Sequence, residues 1–177
     1  GVWVNLSGRT IGAGRHTLAA GTALDGYGPV DTLSSIENVL GPNKDDYIAG
    51  GTSSHQLWGN GGDDTIVSGG NGDSLRGGAG DDTFISRSGT TTIDDFTQGE
   101  DVIDISSMPQ FTDVSQIGVT QQSSDVLLDF GSGHQVVLHN TNVGDVDNSD
   151  FIFGPLADVT SGTLSFSSAN TASYSVA

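Results

Sequence analysis

The chain has 177 residues, and its 22 acidic side chains against 5 basic ones give a formal charge of −17. Among the acidic residues 20 are Asp and only 2 are Glu, and the chain also contains 27 Gly, a composition that favours turns over helices. Nucleic-acid binding is excluded for want of clustered Lys and Arg, and without Cys or an apolar run of about 20 residues the chain is expected to have no disulfide and no membrane span.

The first 40 residues contain two segments, residues 2–6 and 31–39, which precede a regular repeat. The chain begins without Met on a segment that is typical of a strand. We therefore expect it to be a piece of a longer protein.

Residues 41–85 divide into five consecutive blocks of nine residues: GPNKDDYIA, GGTSSHQLW, GNGGDDTIV, SGGNGDSLR and GGAGDDTFI. The eighth position is apolar in every block: Ile48, Leu57, Ile66, Leu75 and Phe84. The sixth position is Asp46, His55, Asp64, Asp73 and Asp82. The phase continues weakly outward to Val39 and Ile93, so the repeat is the strongest signal in the sequence.

Each block combines a glycine-rich turn with a short strand that carries one inward apolar side chain. Two blocks make one turn of 18 residues in a stacked solenoid. This arrangement predicts a row of Asp46, Asp64 and Asp82 along one edge. Asp73 is then expected on the opposite edge beside His55 and Thr91.

Carboxylates that are one strand spacing apart, about 4.8 Å, repel each other unless a cation lies between them. Calcium fits such an edge because it takes 6–8 oxygen ligands in adaptable geometry. Zinc and copper require His or Cys donors that these turns lack, whereas magnesium remains possible with retained waters. The alternative for these Asp residues is that they merely solvate turns.

The blocks GGAGDDTFI and GNGGDDTIV resemble the nonapeptide GGxGxDxUx of RTX (repeats-in-toxin) proteins. Residues 2–6 and 31–39 resemble the segment that precedes such repeats, and residues 93–106 are similar to the segment that closes them. The resemblance implies an all-β fold, a right-handed parallel β-roll that binds calcium between successive turns. It covers roughly residues 1–106.

The resemblance also implies a ligand set for this chain. Its side-chain ligands would be the sixth-position and fifth-position acids, Asp46, Asp64, Asp82, Asp45, Asp63 and Asp81. Its backbone ligands would be the carbonyl groups of Gly59, Gly61, Gly77 and Ala79. We expect about two calcium ions on this edge, and one poor site or none on the edge that carries Asp73. In the closing segment Asp95, Asp101 and Asp104 are either further ligands or solvated strand ends.

Beyond the repeat, four segments are predicted to be short strands: Val114–Val119, Asp125–Phe130, Gln135–His139 and Phe151–Phe153. We expect them to form a short antiparallel β cap on the open end of the roll. The predicted units are therefore an N-terminal flank at 1–40, the roll at 41–106, the cap at 107–154 and a tail at 155–177. In the family that the repeats resemble, the extreme C-terminus commonly carries the signal for type I secretion. The tail is therefore either that signal, a flexible tail or a strand that pairs with the cap.

No HExxH or G-x-S-x-G motif occurs, so the sequence predicts no active site in this chain. The predicted function is that of a calcium-binding module that folds after export, at the C-terminal end of a larger secreted bacterial protein. Two alternatives remain open. One is a carbohydrate-binding or regulatory module of a polysaccharide-modifying enzyme, and the other is a calcium-dependent surface-layer or adhesin segment that self-assembles.

Overall fold

In the computed structural model of the chain, residues 1–13, 16–70 and 72–155 are described. The elements in these ranges are strands and three short 3₁₀ turns. The strands are β1 Trp3–Asn5, β2 Ile11–Ala13, β3 His16–Leu18, β4 Thr22–Leu24, β5 Asp31–Thr32, β6 Asn38–Leu40, β7 Tyr47–Ala49, β8 Gln56–Gly61, β9 Thr65–Ser68, β10 Asp73–Ala79, β11 Thr83–Ser86, β12 Thr90–Ile93, β13 Val102–Ile105, β14 Gly118–Gln122, β15 Asp125–Gly131, β16 His134–Leu138 and β17 Phe151–Phe153. The 3₁₀ turns are Val114–Gln116, Val143–Asp145 and Asn148–Asp150.

The strands of the repeat alternate between two sheets. The first sheet has the order β17-β13-β11-β9-β7-β1-β4-β5, and the second has the order β14-β15-β16-β12-β10-β8-β6. Neighbouring repeat strands are parallel, and Tyr47 pairs with Thr65, which pairs with Thr83. These partners are 18 residues apart, which confirms the predicted turn length and the all-β, parallel β-roll architecture.

The apolar eighth positions form the core between the sheets. Ile48, Ile66 and Phe84 line the first sheet and Leu57 and Leu75 line the second, and all five are fully buried. Burying each such side chain contributes about 1.5–3 kcal/mol relative to leaving it exposed. A single turn contains few of these residues, so the roll depends on stacking several turns.

An N-terminal hairpin, formed by β2 and β3, covers the outer face of the first sheet. Ile11 and Leu18 pack there with Ala49 and Val67, whose side chains point away from the main core. The fully buried Asn5 side chain holds the surrounding loops, because its Nδ2 donates to the carbonyl oxygens of residues 9, 18 and 19. The sequence did not predict this second cluster.

At the C-terminal end, the predicted strands continue the two sheets. The antiparallel hairpin β15–β16 turns at Ser132 and joins the roll because β16 pairs parallel with β12. Similarly, β17 pairs parallel with β13. The expected strand Val114–Val119 is wrong in its first half, because the Asp113 side chain and Gln116 form a reciprocal capping box that fixes a 3₁₀ turn before β14 begins at Gly118. Residues 156–177, which include almost all of the predicted tail, lie outside the described residues.

Candidate metal centre

Three carboxylates form a continuous row along one edge of the roll, as the spacing predicts. The Oδ1 atom of each accepts a hydrogen bond from a backbone N–H of the preceding turn. Val2 donates to Asp46 at 2.6 Å, Asp46 donates to Asp64 at 2.7 Å, and Asp64 donates to Asp82 at 2.9 Å. Asp82 in turn donates to Oδ1 of Asp101 at 3.0 Å. The row therefore links successive turns in register.

The other carboxylate oxygen of these three residues has no hydrogen-bond partner among the described residues. Oδ2 of Asp46, Asp64 and Asp82 is buried and unpaired in each case. A buried oxygen without a partner costs free energy, about 1–3 kcal/mol for a neutral group and more for a charged one. Three such atoms at equivalent positions indicate a ligand other than a protein hydrogen bond.

The backbone beside these oxygens leaves room that only glycine permits. A Cβ atom at Gly59 would overlap Oδ2 of Asp64 and lie 2.8 Å from the carbonyl oxygen of Gly77. A Cβ atom at Gly41 would overlap Oδ2 of Asp46 and lie 2.7 Å from the carbonyl oxygen of Gly59. A carboxylate of one turn and a carbonyl of the next therefore converge beside each glycine, as a cation bound between turns requires.

The electrostatics of the row oppose ionisation when the protein alone is considered. Burial raises the pKa of Asp46 above its ordinary value and raises the pKa of Asp64 to about 6. Burial also raises the pKa of Asp82 to about 7, and the neighbouring carboxylates of Asp101 and Asp64 add to this effect. A positive charge at the edge would reverse this tendency.

The fifth-position acids form a separate, outer row. Asp45, Asp63 and Asp81 are exposed, and Oδ1 of Asp45 accepts the N–H of Asp63 at 3.0 Å. Oδ1 of Asp63 likewise accepts the N–H of Asp81 at 3.1 Å. These residues stiffen the turns, and they lie on the solvent side of the row. Gly61 and Ala79 are paired neighbours in adjacent turns, and the Ala79 carbonyl accepts the N–H of Gly62 at 2.9 Å.

The closing segment brings two of its three candidate acids to this edge. Oδ1 of Asp95 accepts the N–H of Gly77 at 3.0 Å, and its Oδ2 pairs with Arg76 Nε at 3.2 Å. Oδ2 of Asp101 accepts the N–H of Thr97 at 2.7 Å, so both oxygens of this residue have protein donors. Burial raises the pKa of both residues. Asp104 lies apart within β13 and accepts the N–H of Ser106, two residues along.

Across the described ranges no group of three or more His, Asp or Glu side chains lies within reach of one metal ion. A metal at the edge would therefore need backbone carbonyls in addition to one or two carboxylates. This is an all-oxygen donor set, which suits calcium and does not suit zinc or copper.

Asp73, on the opposite edge, is in a different situation from the row. Its Oδ1 accepts the backbone N–H of His55 at 2.8 Å and lies 3.3 Å from His55 Nδ1. Its Oδ2 accepts from Ser68 Oγ at 2.8 Å and from the N–H groups of Gly69 and Gly70 at 3.0 and 3.3 Å. Both oxygens are thus satisfied by protein donors.

These contacts continue as a buried polar ladder along the second edge. Thr91 Oγ1 donates to Ser68 Oγ at 2.8 Å, Ser86 Oγ lies 2.9 Å from Thr91 Oγ1, and His134 Nε2 lies 2.9 Å from Ser86 Oγ. The spacing predicted His55 and Thr91 beside Asp73 but missed Ser68, Ser86 and His134. The signal available for the serines was their own 18-residue separation.

A comparison with protein-family models matches residues 24–162, more than half of the chain, to the peptidase M10 serralysin C-terminal family. The chain belongs to this family. The nonapeptide repeats are of the RTX type, which confirms the resemblance seen in the sequence. A search of curated proteins finds no match.

The chain is also similar to several solved structures. The R3 subunit of a mannuronan C5-epimerase from Azotobacter vinelandii is 21% identical, with a TM-score of 0.56 over 76% of this chain and 87% of that one. The R2 subunit of this epimerase is 22% identical, with a TM-score of 0.49 over 70% and 98%. An extracellular lipase from Serratia marcescens is 23% identical, with a TM-score of 0.42 over 78% and 24%. The first likeness supports the fold alone.

In the part of the chain that the structure describes, no helix has the length and apolar character of a membrane span.

Proposed function

We propose that this chain is a calcium-binding module that folds on binding calcium after export, at the C-terminal end of a larger secreted bacterial protein. The observation that carries the proposal is the set of three buried, unpaired Oδ2 atoms of Asp46, Asp64 and Asp82. Each lies beside a glycine, and carbonyl oxygens of the next turn face two of them. Membership of the serralysin C-terminal family supports the same function.

The proposed ligands are the Oδ2 atoms of this row with the carbonyl groups of Gly59 and Gly77. The carbonyls of Gly61 and Ala79 complete the set, and Asp95 and Asp101 border its last turn. The exposed acids Asp45, Asp63 and Asp81 contribute negative charge near the site. We expect about two ions in this row, and we leave Asp73 out of the set because protein donors already satisfy it.

The residues of the chain make folding depend on the cation. Three carboxylates must be buried as the turns stack, and each turn of the repeat adds only two apolar residues to the core between the sheets. Ordering the backbone costs about 1–2 kcal/mol per residue. Calcium, when bound, supplies the positive charge that offsets the row and joins one turn to the next. At low cytosolic calcium the chain is expected to stay unfolded and to remain competent for export through a type I channel.

Circular dichroism with and without a chelator tests this proposal. We expect the β-sheet signal to be lost in EGTA and recovered on adding calcium, with about two ions bound in calorimetry. Asp64→Asn should reduce the number of ions, whereas Asp31→Asn, at an exposed residue of β5, should not. Unchanged spectra together with the absence of calcium binding would refute the proposal.

A second candidate function, saccharide binding, is favoured by one surface feature. On the outer face of the second sheet, Leu40 is paired with Trp58, which is paired with Arg76. Leu40 is 64% exposed and Trp58 is 38% exposed, so an aromatic ring lies open beside a guanidinium group. Trp58→Ala should abolish glycan binding in calcium if the module recognises saccharides, and binding that survives this change would refute the role.

A further inference from the structure

The arginines of this acidic chain are distributed unevenly with respect to their partners. Arg76 forms an ion pair with Asp95 at 3.2 Å. Arg9 and Arg87 have no carboxylate partner among the described residues, although the chain contains 22 acidic side chains. Both of these unpaired arginines line the same surface cleft.

This cleft lies between the N-terminal loop at residues 7–11 and the outer face of the first sheet. Its volume is about 280 Å³, and among the described residues no Asp or Glu lines it. Ile11, Ala49 and Val67 give it an apolar wall, and Gly50 and Gly51 also line it. We name it the arginine cleft.

Polar side chains hold the backbone in place at Arg9 itself and at the residue before Arg87. The carbonyl of Arg9 accepts hydrogen bonds from Asn5 Nδ2 at 2.9 Å and from Ser7 Oγ at 3.1 Å, and Asn5 is fully buried. Ser86, directly before Arg87, is buried and belongs to the polar ladder of the second edge. The backbone positions from which both side chains extend at the arginine cleft are therefore set by the fold.

Two cations that share a cleft without an acid repel each other, and in a chain of charge −17 many carboxylates were available to neutralise them. A guanidinium group binds a carboxylate through paired hydrogen bonds, so two of them create a site for one. The apolar wall of Ile11, Ala49 and Val67 offers a surface that the hydrocarbon part of a ligand can contact. The net charge of the protein disfavours multiply charged anions.

We propose that the arginine cleft binds a small amphipathic monocarboxylate, with its carboxylate between Arg9 and Arg87 and its apolar body against Ile11, Ala49 and Val67. This site lies on the outer face of the first sheet, apart from the carboxylate row. It is independent of the proposed calcium function, except that the chain must be folded.

The test uses the full chain in saturating calcium, with hexanoate as the probe and ligand-observed NMR as the readout. We expect saturable binding of hexanoate, and binding at least about tenfold weaker for hexan-1-ol, which lacks the charge, and for inorganic phosphate, which lacks the apolar body. Arg9→Gln and Arg87→Gln should each weaken hexanoate binding about tenfold. Arg76→Gln, which removes a paired arginine on another face, should leave it unchanged.

Circular dichroism in calcium keeps the outcomes distinct, because each variant must show the wild-type β-sheet signal before its binding is compared. Loss of that signal in the wild-type chain would count against the folding proposal and not against the cleft. Hexanoate binding that is absent from the folded wild type, or that is as tight in Arg9→Gln and Arg87→Gln as in the wild type, would overturn the inference. Phosphate or hexan-1-ol binding as tight as that of hexanoate would overturn it too.

Discussion

Asp82→Asn should raise the stability of the roll without calcium and reduce the further stabilisation that calcium gives. The side chain of Asp82 is 1% exposed, and one of its oxygens accepts a hydrogen bond from the N–H of Asp64. Asn keeps that acceptor and removes the buried charge. In a chelator the variant is therefore expected to be more stable than the wild type. In calcium it lacks one ligand, so calcium stabilises it less than it stabilises the wild type.

The size of the effect follows from the pKa of this carboxyl. Its ordinary pKa is 3.8, and burial raises the pKa to about 7 in the folded chain. Between these values the folded state holds a proton that the unfolded state has lost, so the free energy of unfolding falls as the pH rises. A shift of about three units corresponds to at most about 4 kcal/mol, and this cost is fully present above pH 7.

Circular dichroism at pH 8 measures both effects. In EGTA it gives the folded fraction of each chain, which is low for the wild type, and in saturating calcium it follows unfolding by urea. We expect Asp82→Asn to be stabilised by up to about 4 kcal/mol in EGTA and to lose about 3 kcal/mol or more of the calcium-dependent gain. Asp31→Asn removes an exposed charge and should show neither effect. The reasoning would be refuted by a variant that is no more stable than the wild type in EGTA and responds to calcium as fully.

Three further predictions concern acid pH, a glycine and the second edge. In EGTA the folded fraction of the wild type, measured by circular dichroism, should rise as the pH falls from 8 to 5, because the pKa values of Asp64 and Asp82 are raised. Its apparent calcium affinity should fall over the same range as protons compete with the ion, and calorimetry that shows no pH dependence would contradict this. Gly59→Ala should remove one bound calcium because its Cβ would occupy the space beside the row. A Cβ at Gly12 would have no atom within 4 Å, so Gly12→Ala should bind as many calcium ions as the wild type. Equal stoichiometries in the two variants would count against the site. Asp73→Asn should destabilise the roll by about 2–5 kcal/mol in calcium without changing the number of bound ions, and a lost ion would show that this edge also holds metal.

The roll itself was predictable because its pattern repeats. The eighth-position residues recur every nine positions, and any stacking of blocks that buries Ile48 and Ile66 on one face also aligns Asp46 with Asp64. Period and alternation thus specify the sheets, the turn length and the row. The position of Asp82, the third carboxylate of the row, follows from the same 18-residue spacing.

The parts that escaped prediction depend on single contacts without a period. The N-terminal hairpin is held by Asn5, one buried amide whose three acceptors are distant in sequence or in loops. Val114–Gln116 carries apolar and polar residues as a strand does, but the Asp113 cap fixes it as a 3₁₀ turn. His134 is the first residue of β16. It reaches the second edge only because β16 pairs in register with β12, although residues 107–133 separate it from the roll in sequence.

The links between equivalent residues of successive turns also restrict how the length of the roll can change. Asp46 contacts Asp64, and His55 contacts Asp73, each over a separation of 18 residues. Deleting residues 47–64 would therefore join Asp46 to Thr65 and leave both edges in register. Deleting nine residues would move the turns after the deletion to the opposite edge. Asp73, whose oxygens already accept protein hydrogen bonds, would then be aligned with Asp46 of the carboxylate row. Lengthening or shortening of this roll during evolution is thus expected to proceed in pairs of nonapeptides.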